Sequence, residues 1–151
     1  MRLESADDMK VLGFHFGSRP TVASHVEALR KRFRRRAWIL VHLRHAGFNE
    51  AELAKVYRVI VRPTADYMSV VYHSMMTDAQ DELVERLQSQ ALKIIYGKDV
   101  TYAVMRNRAE VTTLRPRRVE ACDKFAKKCS EGQFSHWFPC LLYTSPSPRD
   151  S

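Results

Sequence analysis

The sequence predicts a mainly α-helical fold, with about five helices in an irregular bundle and one short β-strand near the N-terminus. Glycine is scarce, with 5 in 151 residues, and apolar residues recur at helical spacing over several long segments. Only one short segment has the composition of a strand. Hydrophobic residues make up 45% of the chain and charged residues 28%, which indicates a globular protein rather than a disordered one.

The predicted strand covers Met9 to Phe16. Four apolar residues lie in it, and Gly17 and Ser18 end the run: Val11, Leu12, Phe14 and Phe16. A single strand leaves its backbone donors and acceptors unpaired, so it needs a partner. The isolated strand therefore suggests that its natural partners lie upstream of this chain.

The first helix is predicted to begin near Thr21 and to end at Gly47. Its apolar residues are spaced at 4-3-4-4-3, which places them on one face: Val22, Val26, Leu29, Phe33, Ala37 and Leu40. We expect Leu29, Phe33 and Leu40 to be core residues.

Asn49 is predicted to cap the second helix in a capping box with Glu52. Its apolar face is formed by Leu53, Val56, Tyr57 and Ile60. Because proline lacks a backbone donor and disfavours helix in the preceding residue, we expect a kink or break at Pro63. The helix would then continue through Tyr67, Val70, Val71 and Ser74.

Three further helices complete the prediction. The third begins at Thr77 or Asp78 and ends at Gly97, with Leu83, Leu87, Ala91, Ile94 and Ile95 as its stripe; a short fourth helix covers Thr101 to Arg108. In the fifth, Thr113 to Cys129, we expect Leu114, Val119, Cys122, Phe125 and Ala126 to face inward and Arg115, Arg117, Arg118, Lys124, Lys127 and Lys128 to face outward. Four tyrosines are expected in the core with hydroxyls at its rim: Tyr57, Tyr67, Tyr72 and Tyr96.

The charge balance favours an anionic partner. There are 25 Lys and Arg residues against 17 Asp and Glu, a net charge of +8. Nucleic acid is the first candidate and a membrane surface the second. No apolar run is long enough for a transmembrane helix, and the 3 cysteines form no disulfide framework. We expect an intracellular protein of the nucleus or cytoplasm.

The candidate nucleic-acid-binding residues are six cations that surround Phe33: Arg30, Lys31, Arg32, Arg34, Arg35 and Arg36. Guanidinium groups suit phosphate oxygens. Six neighbouring cations repel one another, and binding to phosphates would reduce that repulsion. Arg30, Lys31, Arg34 and Arg35 are the preferred phosphate contacts. The alternative is a solvated helix face, and nothing in this cluster predicts base-specific recognition.

Other chemical motifs are weak. His42 and His45 lie three residues apart and could share a metal, but no third ligand is placed near them. Cys122 and Cys129 lack the close spacing of a zinc site. No Ser-His-Asp arrangement and no glycine-rich phosphate loop is found, and the only adjacent acidic pair is Asp7-Asp8.

Five segments, in order, resemble the region after the catalytic palm of non-LTR (LINE-type) retrotransposon reverse transcriptases. The resemblance is carried by Lys10-Val11-Leu12-Gly13-Phe14, by Tyr57 with Arg62-Pro63 and Tyr67, by Leu87 to Gly97, by Leu114 to Phe125 with Arg117-Arg118, and by Phe134 to Pro139. Tyr72 departs from the family, which often carries tryptophan there.

The resemblance implies a domain plan and a role. Residues 1–18 would be the residual end of the palm, 19–98 a helical thumb, and 99–139 the start of the connection region. In that family the thumb holds the template–primer duplex, so the partner would be RNA or an RNA–DNA duplex. The intact parent would be an RNA-directed DNA polymerase that uses Mg²⁺.

The same resemblance implies that this chain is not itself catalytic. The family's catalytic box places an aromatic residue before two aspartates, between apolar strands, whereas Ser5 stands at the aromatic position here. Asp7-Asp8 are therefore expected to be loop acids rather than metal ligands. With no catalytic residues and no bound cofactor expected, this fragment should be inactive alone, because two-metal chemistry needs all its carboxylates on one rigid framework.

The C-terminal segment changes composition abruptly. Cys140 to Asp150 resembles a translated reading frame of a transposase-type sequencing adapter. We therefore expect residues 140–151 to be an artefactual tail. A Ser/Pro-rich natural tail is the alternative.

Two alternatives to the fragment hypothesis remain. The chain could be a stand-alone basic helical module that binds nucleic acid. It could instead bind a membrane surface through a basic amphipathic helix over Val22 to Leu40, with Trp38 and Ile39 as extra apolar surface. The sequence does not predict the oligomeric state.

Overall fold

A computed structural model describes the backbone of residues 8–11 and 14–17 and the backbone and side chains of residues 22–131. The predictions for Asp7, for Phe134 to Pro139 and for the tail at residues 140–151 lie outside the described residues.

The N-terminal segment contains two short strands. β1 (Asp8–Val11) pairs antiparallel with β2 (Phe14–Gly17), with Asp8 opposite Gly17 and Val11 opposite Phe14. The single unpaired strand predicted over Met9 to Phe16 is not confirmed. Folding back on itself gives the segment the backbone hydrogen-bond partners that a lone strand would lack.

The described residues from 22 onward are mainly helical. Seven α-helices follow in order: α1 (Ala23–His45), α2 (Glu50–Val56), α3 (Pro63–Asp66), α4 (Ser69–Tyr72), α5 (Asp78–Tyr96), α6 (Tyr102–Arg108) and α7 (Leu114–Glu131). The five predicted helices become seven because the second is divided into α2, α3 and α4.

Two local features divide that second helix. Residues Tyr57–Val61 form a π-helical turn, in which the Arg62 amide donates to the Tyr57 carbonyl at 2.9 Å. The bond reaches back five residues, and Pro63, which has no amide hydrogen, follows directly. Met68 then adopts a left-handed conformation (φ 60°) between α3 and α4. The interruption predicted at Pro63 is therefore present.

Capping chemistry fixes the starts of two helices. Asn49 and Glu52 form the predicted capping box, with the Glu52 amide donating to Asn49 Oδ1 at 3.0 Å. Thr77 and Gln80 form a second one at the start of α5. Gly97 follows α5 with φ 93°, a backbone conformation that L side chains rarely adopt.

One hydrophobic core joins the helices. All six apolar residues of the predicted α1 face are buried in it, including Leu29, Phe33 and Leu40. Met105, Ala109 and Leu114, from α6 to the start of α7, belong to the same core as the residues of α1 and α5. The helical region on both sides of residue 98 is thus packed together.

Some predicted core positions are wrong. Ile60 is 41% exposed and Val61 is fully buried in its place. The π-helical turn changes the register of the helix face, which explains the shift. Tyr67 and Val71 are also exposed, because the left-handed Met68 between them ends the continuous helix on which their prediction depended.

The predicted orientation of α7 is also wrong in part. Arg118, predicted to face outward, is buried, whereas Val119, Phe125 and Ala126 are exposed. The Arg118 guanidinium contacts the Asp81 carboxylate of α5, which compensates its charge inside the protein. Residue polarity alone could not reveal that a carboxylate 37 positions earlier would meet it.

Candidate nucleic-acid interface

The basic cluster lies on α1, whose orientation is fixed by its buried face. Residues advance by about 100° along a helix, so the buried residues at 26, 29, 33 and 37 occupy one arc. Lys31 and Arg35 lie opposite that arc, and Arg34 lies between them and α5. Part of the predicted cluster therefore faces solvent, and the rest lies on the flanks of α1, next to the neighbouring segments.

Arg30 is engaged within α1. Its guanidinium donates two hydrogen bonds to the Glu27 carboxylate, each at 2.7 Å. Lys31 Nζ lies 3.9 Å from the same carboxylate. The hydrogen bond from Arg30 lowers the pKa of Glu27, so this carboxylate offsets part of the positive charge at the start of the cluster.

Arg36 is engaged with α3 and the π-helical turn. Its Nη1 donates to Thr64 Oγ1 at 3.0 Å and lies 3.4 Å from the Ile60 carbonyl. Arg32, on the same side of α1, is half-buried and makes an interaction of its own. Arg36 therefore connects α1 to the neighbouring segment in addition to contributing charge.

Arg34 and Arg35 are the two cations best placed for an outside ligand. Both side chains are exposed, and neither makes a hydrogen bond or ion pair within residues 22–131. They lie on adjacent positions near the middle of α1, next to exposed Lys31. Of the six predicted residues, the structure brings these three together on the solvent side.

Trp38 was predicted as apolar surface for a membrane, and it was not among the predicted nucleic-acid-binding residues. Its side chain is 61% exposed, one turn after Arg34 and on the same side of α1. The ring makes an edge-to-face contact with His42, with centroids 5.3 Å apart and planes at 83°. The four-residue spacing from Arg34 to Trp38 to His42 was a signal in the sequence, because such residues share one helix face.

A groove lies beside Trp38, along the junction of α1 and α5. A cavity of about 610 Å³ is lined by Val41, Arg44, His45, Gln90, Lys93, Ile94, Gly97 and Lys98. A smaller cavity of about 210 Å³ shares Val41, Gln90 and Ile94 with it and reaches Arg34 and Trp38. Sequence reasoning missed this groove because its two walls are separated by about fifty residues of chain.

The other basic cluster, at the start of α7, is neutralised by carboxylates. Arg117 forms two hydrogen bonds to Asp66, the shorter at 2.7 Å, and these raise its pKa. Arg115 lies 3.4 Å from Asp81, which also contacts Arg118. This cluster holds α7 against α3 and α5, so it contributes less free charge to an interface than α1 does.

A buried polar network occupies the interior. Tyr57 donates to Gln88 Oε1 at 2.7 Å, and Gln88 Nε2 donates to the Thr112 carbonyl at 3.0 Å. Arg62 donates to the same carbonyl at 2.9 Å. Burial raises the pKa of Tyr57, which keeps its hydroxyl protonated. The Tyr57 hydroxyl, Gln88 Nε2 and one Arg62 Nη group each have a fixed partner within the protein, which indicates a structural role, whereas Arg62 Nε has none among the described residues.

The weak metal and thiol motifs gain no support. Within residues 22–131, no group of three or more His, Cys, Asp or Glu side chains could hold a metal ion. Cys122 and Cys129 are free thiols, and burial raises the pKa of Cys122, which disfavours its reactive thiolate. None of the helices in this part of the chain is both long and apolar enough to cross a bilayer.

Comparison of the chain with protein-family models, with curated proteins and with solved structures found no match.

Proposed function

We propose that this chain contacts the phosphate backbone of nucleic acid through α1, as a non-catalytic thumb-like segment of a retrotransposon RNA-directed DNA polymerase. The observation that carries the phosphate contact is the exposed group of Lys31, Arg34 and Arg35. Arg34 and Arg35 have no ion-pair partner within residues 22–131. Guanidinium groups that lack an ion-pair partner match phosphate oxygens in charge and in geometry.

The assignment to a reverse transcriptase rests on the ordered sequence motifs. Three polar residues of those motifs are buried and have structural roles: Tyr57, Arg62 and Arg118. Under this proposal the motifs therefore maintain the fold of the segment and do not contribute to catalysis. Under this proposal the ligand is RNA or an RNA–DNA duplex, the location is the nucleus or cytoplasm, and Mg²⁺ chemistry belongs to the intact parent.

A stand-alone nucleic-acid-binding module is the second candidate. The single core shared by α1, α5, α6 and the start of α7 favours it, because such a core is compatible with folding without a palm. A single cooperative thermal transition would support this candidate. Loss of structure in separate steps would argue against this candidate.

The membrane-surface hypothesis loses its main support. The apolar face of α1 that would enter a bilayer is buried against the other helices. Trp38 and the partly exposed Ile39 are the apolar residues that remain on its middle section. An interfacial helix needs a continuous apolar face, so α1 fits phosphate contact better.

The test is the salt dependence of binding to an RNA–DNA duplex. The double variant Arg34→Ala/Arg35→Ala should weaken binding and reduce the slope of log affinity against log salt by about 0.9 for each lost phosphate contact. Lys127→Ala/Lys128→Ala is the matched control, since it removes the same charge from exposed positions on α7. Equal effects of the two variants would contradict a localised interface on α1.

A further inference from the structure

The groove between α1 and α5 has an apolar floor and a cationic rim. Val41 and Ile94 form the floor of its larger part, and Ala37, Leu87 and Ala91 continue it toward Trp38. Arg34, Arg44, Lys93 and Lys98 supply positive charge along its edges. None of the described residues that line either part is acidic. The groove therefore suits a ligand with flat apolar groups and negative charges.

One cation of the rim is held in place by the fold. Arg44 Nη1 donates to the Ile94 carbonyl across the junction between the two helices. The contact connects the end of α1 to α5. Lys93 and Lys98, on exposed positions of the facing segment, remain able to reach an anion in the groove.

The dimensions of the groove fit several linked units better than one small molecule. Its α1 wall runs from Arg34 to His45, and eleven residues of helix span about 16 Å. The exposed ring of Trp38 stands at one end of this length, next to the phosphate-binding group of the proposed function. Aromatic rings beside cations on one track are typical of single-strand nucleic-acid sites.

We propose that this groove binds a single-stranded segment of nucleic acid. One or more unpaired bases would pack on Trp38 and the apolar floor, while phosphates would contact Arg34, Lys93 and Lys98. The inference rests on the proposed function and deepens it by naming an unpaired segment as the ligand. A duplex keeps its bases stacked inside, so it could use the cations but would gain nothing from Trp38 or the floor.

The experiment compares three fluorescently labelled probes on the full chain: a single-stranded RNA, the same strand with its bases removed, and the RNA–DNA duplex. Trp38→Ala should weaken binding of the single strand about tenfold, and leave binding of the abasic strand and the duplex within about twofold. Phe125→Ala is the matched control, because Phe125 is 44% exposed on α7, outside the groove. It should change none of the three affinities.

A second measurement reports directly on Trp38. The chain has 2 tryptophans, so Trp137→Phe leaves Trp38 as the only indole. The single strand should quench its fluorescence, and the abasic strand should not. Because Trp38 is exposed, its substitution should leave the circular dichroism spectrum unchanged.

The outcomes separate the two proposals. If Arg34→Ala/Arg35→Ala weakens all probes while Trp38→Ala changes none, the groove inference is overturned and the phosphate contact stands. If none of the probes binds at low salt, both are overturned. If Trp38 is quenched by an acidic amphipathic peptide and not by the single strand, the groove is a peptide site and the inference is wrong.

Discussion

Arg118 of α7 and Asp81 of α5 form a buried ion pair between the two helices. The Arg118 side chain is 1% exposed and that of Asp81 is 15% exposed. Burial lowers the pKa of Arg118, although an arginine still remains charged. An arginine in this position must have a charged partner, because an unpaired buried charge is strongly destabilising.

Replacing one member of this pair should destabilise the protein strongly. We expect Asp81→Asn to lower the free energy of unfolding by about 3 kcal/mol, since it leaves Arg118 buried without a full countercharge. The double variant Asp81→Leu/Arg118→Met should recover most of that loss, because both charges are removed. Urea denaturation of the three proteins measures the difference.

Arg115→Met is the control for this prediction. Arg115 also approaches Asp81, but its side chain is 62% exposed, so its loss should cost no more than about 1 kcal/mol. If the double variant Asp81→Leu/Arg118→Met were as unstable as Asp81→Asn, the unpaired charge of Arg118 would not be the cause of the instability.

Capping hydrogen bonds determine where some of the helices begin, and packing of their apolar faces determines how they are oriented. α2 and α5 each begin with a complete capping box, whereas Thr101, at the start of α6, makes no side-chain cap hydrogen bond. α1 lacks a side-chain cap as well. Its position instead depends on five buried apolar residues and on buried Val22 at its N-cap, which place Lys31, Arg34 and Arg35 on the opposite side.

The three N-cap positions provide a test with an internal control. Asn49→Ala and Thr77→Ala should each reduce the free energy of unfolding by about 1 kcal/mol, because each leaves helix amide groups without an acceptor. Thr101→Ala should change it by less than about 0.5 kcal/mol, since no cap bond is lost. Thermal or urea unfolding followed by circular dichroism measures all three. Similar losses at Thr77 and Thr101 would contradict a specific role for the caps.

At the scale of the whole molecule, several buried tyrosines pack in the core and form hydrogen bonds through their hydroxyl groups. Burial raises the pKa of Tyr57 and Tyr102, and raises that of Tyr72 to about 12. The Tyr72 hydroxyl donates to the Ala65 carbonyl at 2.5 Å, and Tyr102 bonds Glu85 and Gln88. Neutral tyrosines are thus part of the folded state.

Alkaline pH should therefore unfold the protein. The folded-state pKa values lie above the ordinary value of 10, so the stabilisation is full below pH 10 and is lost as the pH rises toward about 12. Tyrosinate absorbance of these residues should rise together with the loss of helical circular dichroism. Tyr72→Phe should show a shallower loss of stability above pH 10. Complete tyrosine ionisation before any loss of helix would contradict this prediction.

The sequence alone determined the helical class, the buried face of α1, the Asn49 capping box and the interruption at Pro63. These features depend on residue spacing and on backbone chemistry, which act over a few neighbouring positions. The six candidate cations were also visible as a cluster. Their phosphate-binding role and the reverse transcriptase origin remain predictions.

The tertiary structure decided which of those cations are free. Thr64 engages Arg36, and Arg34 and Arg35 stay exposed without a hydrogen bond or ion pair among residues 22–131. It likewise paired Arg118 with Asp81 and built a groove from α1 and α5. Each of these depends on groups that are far apart in the chain and come into contact only in the folded protein. The polarity and spacing of residues within one segment depend on that segment alone, so they do not predict contacts with distant ones.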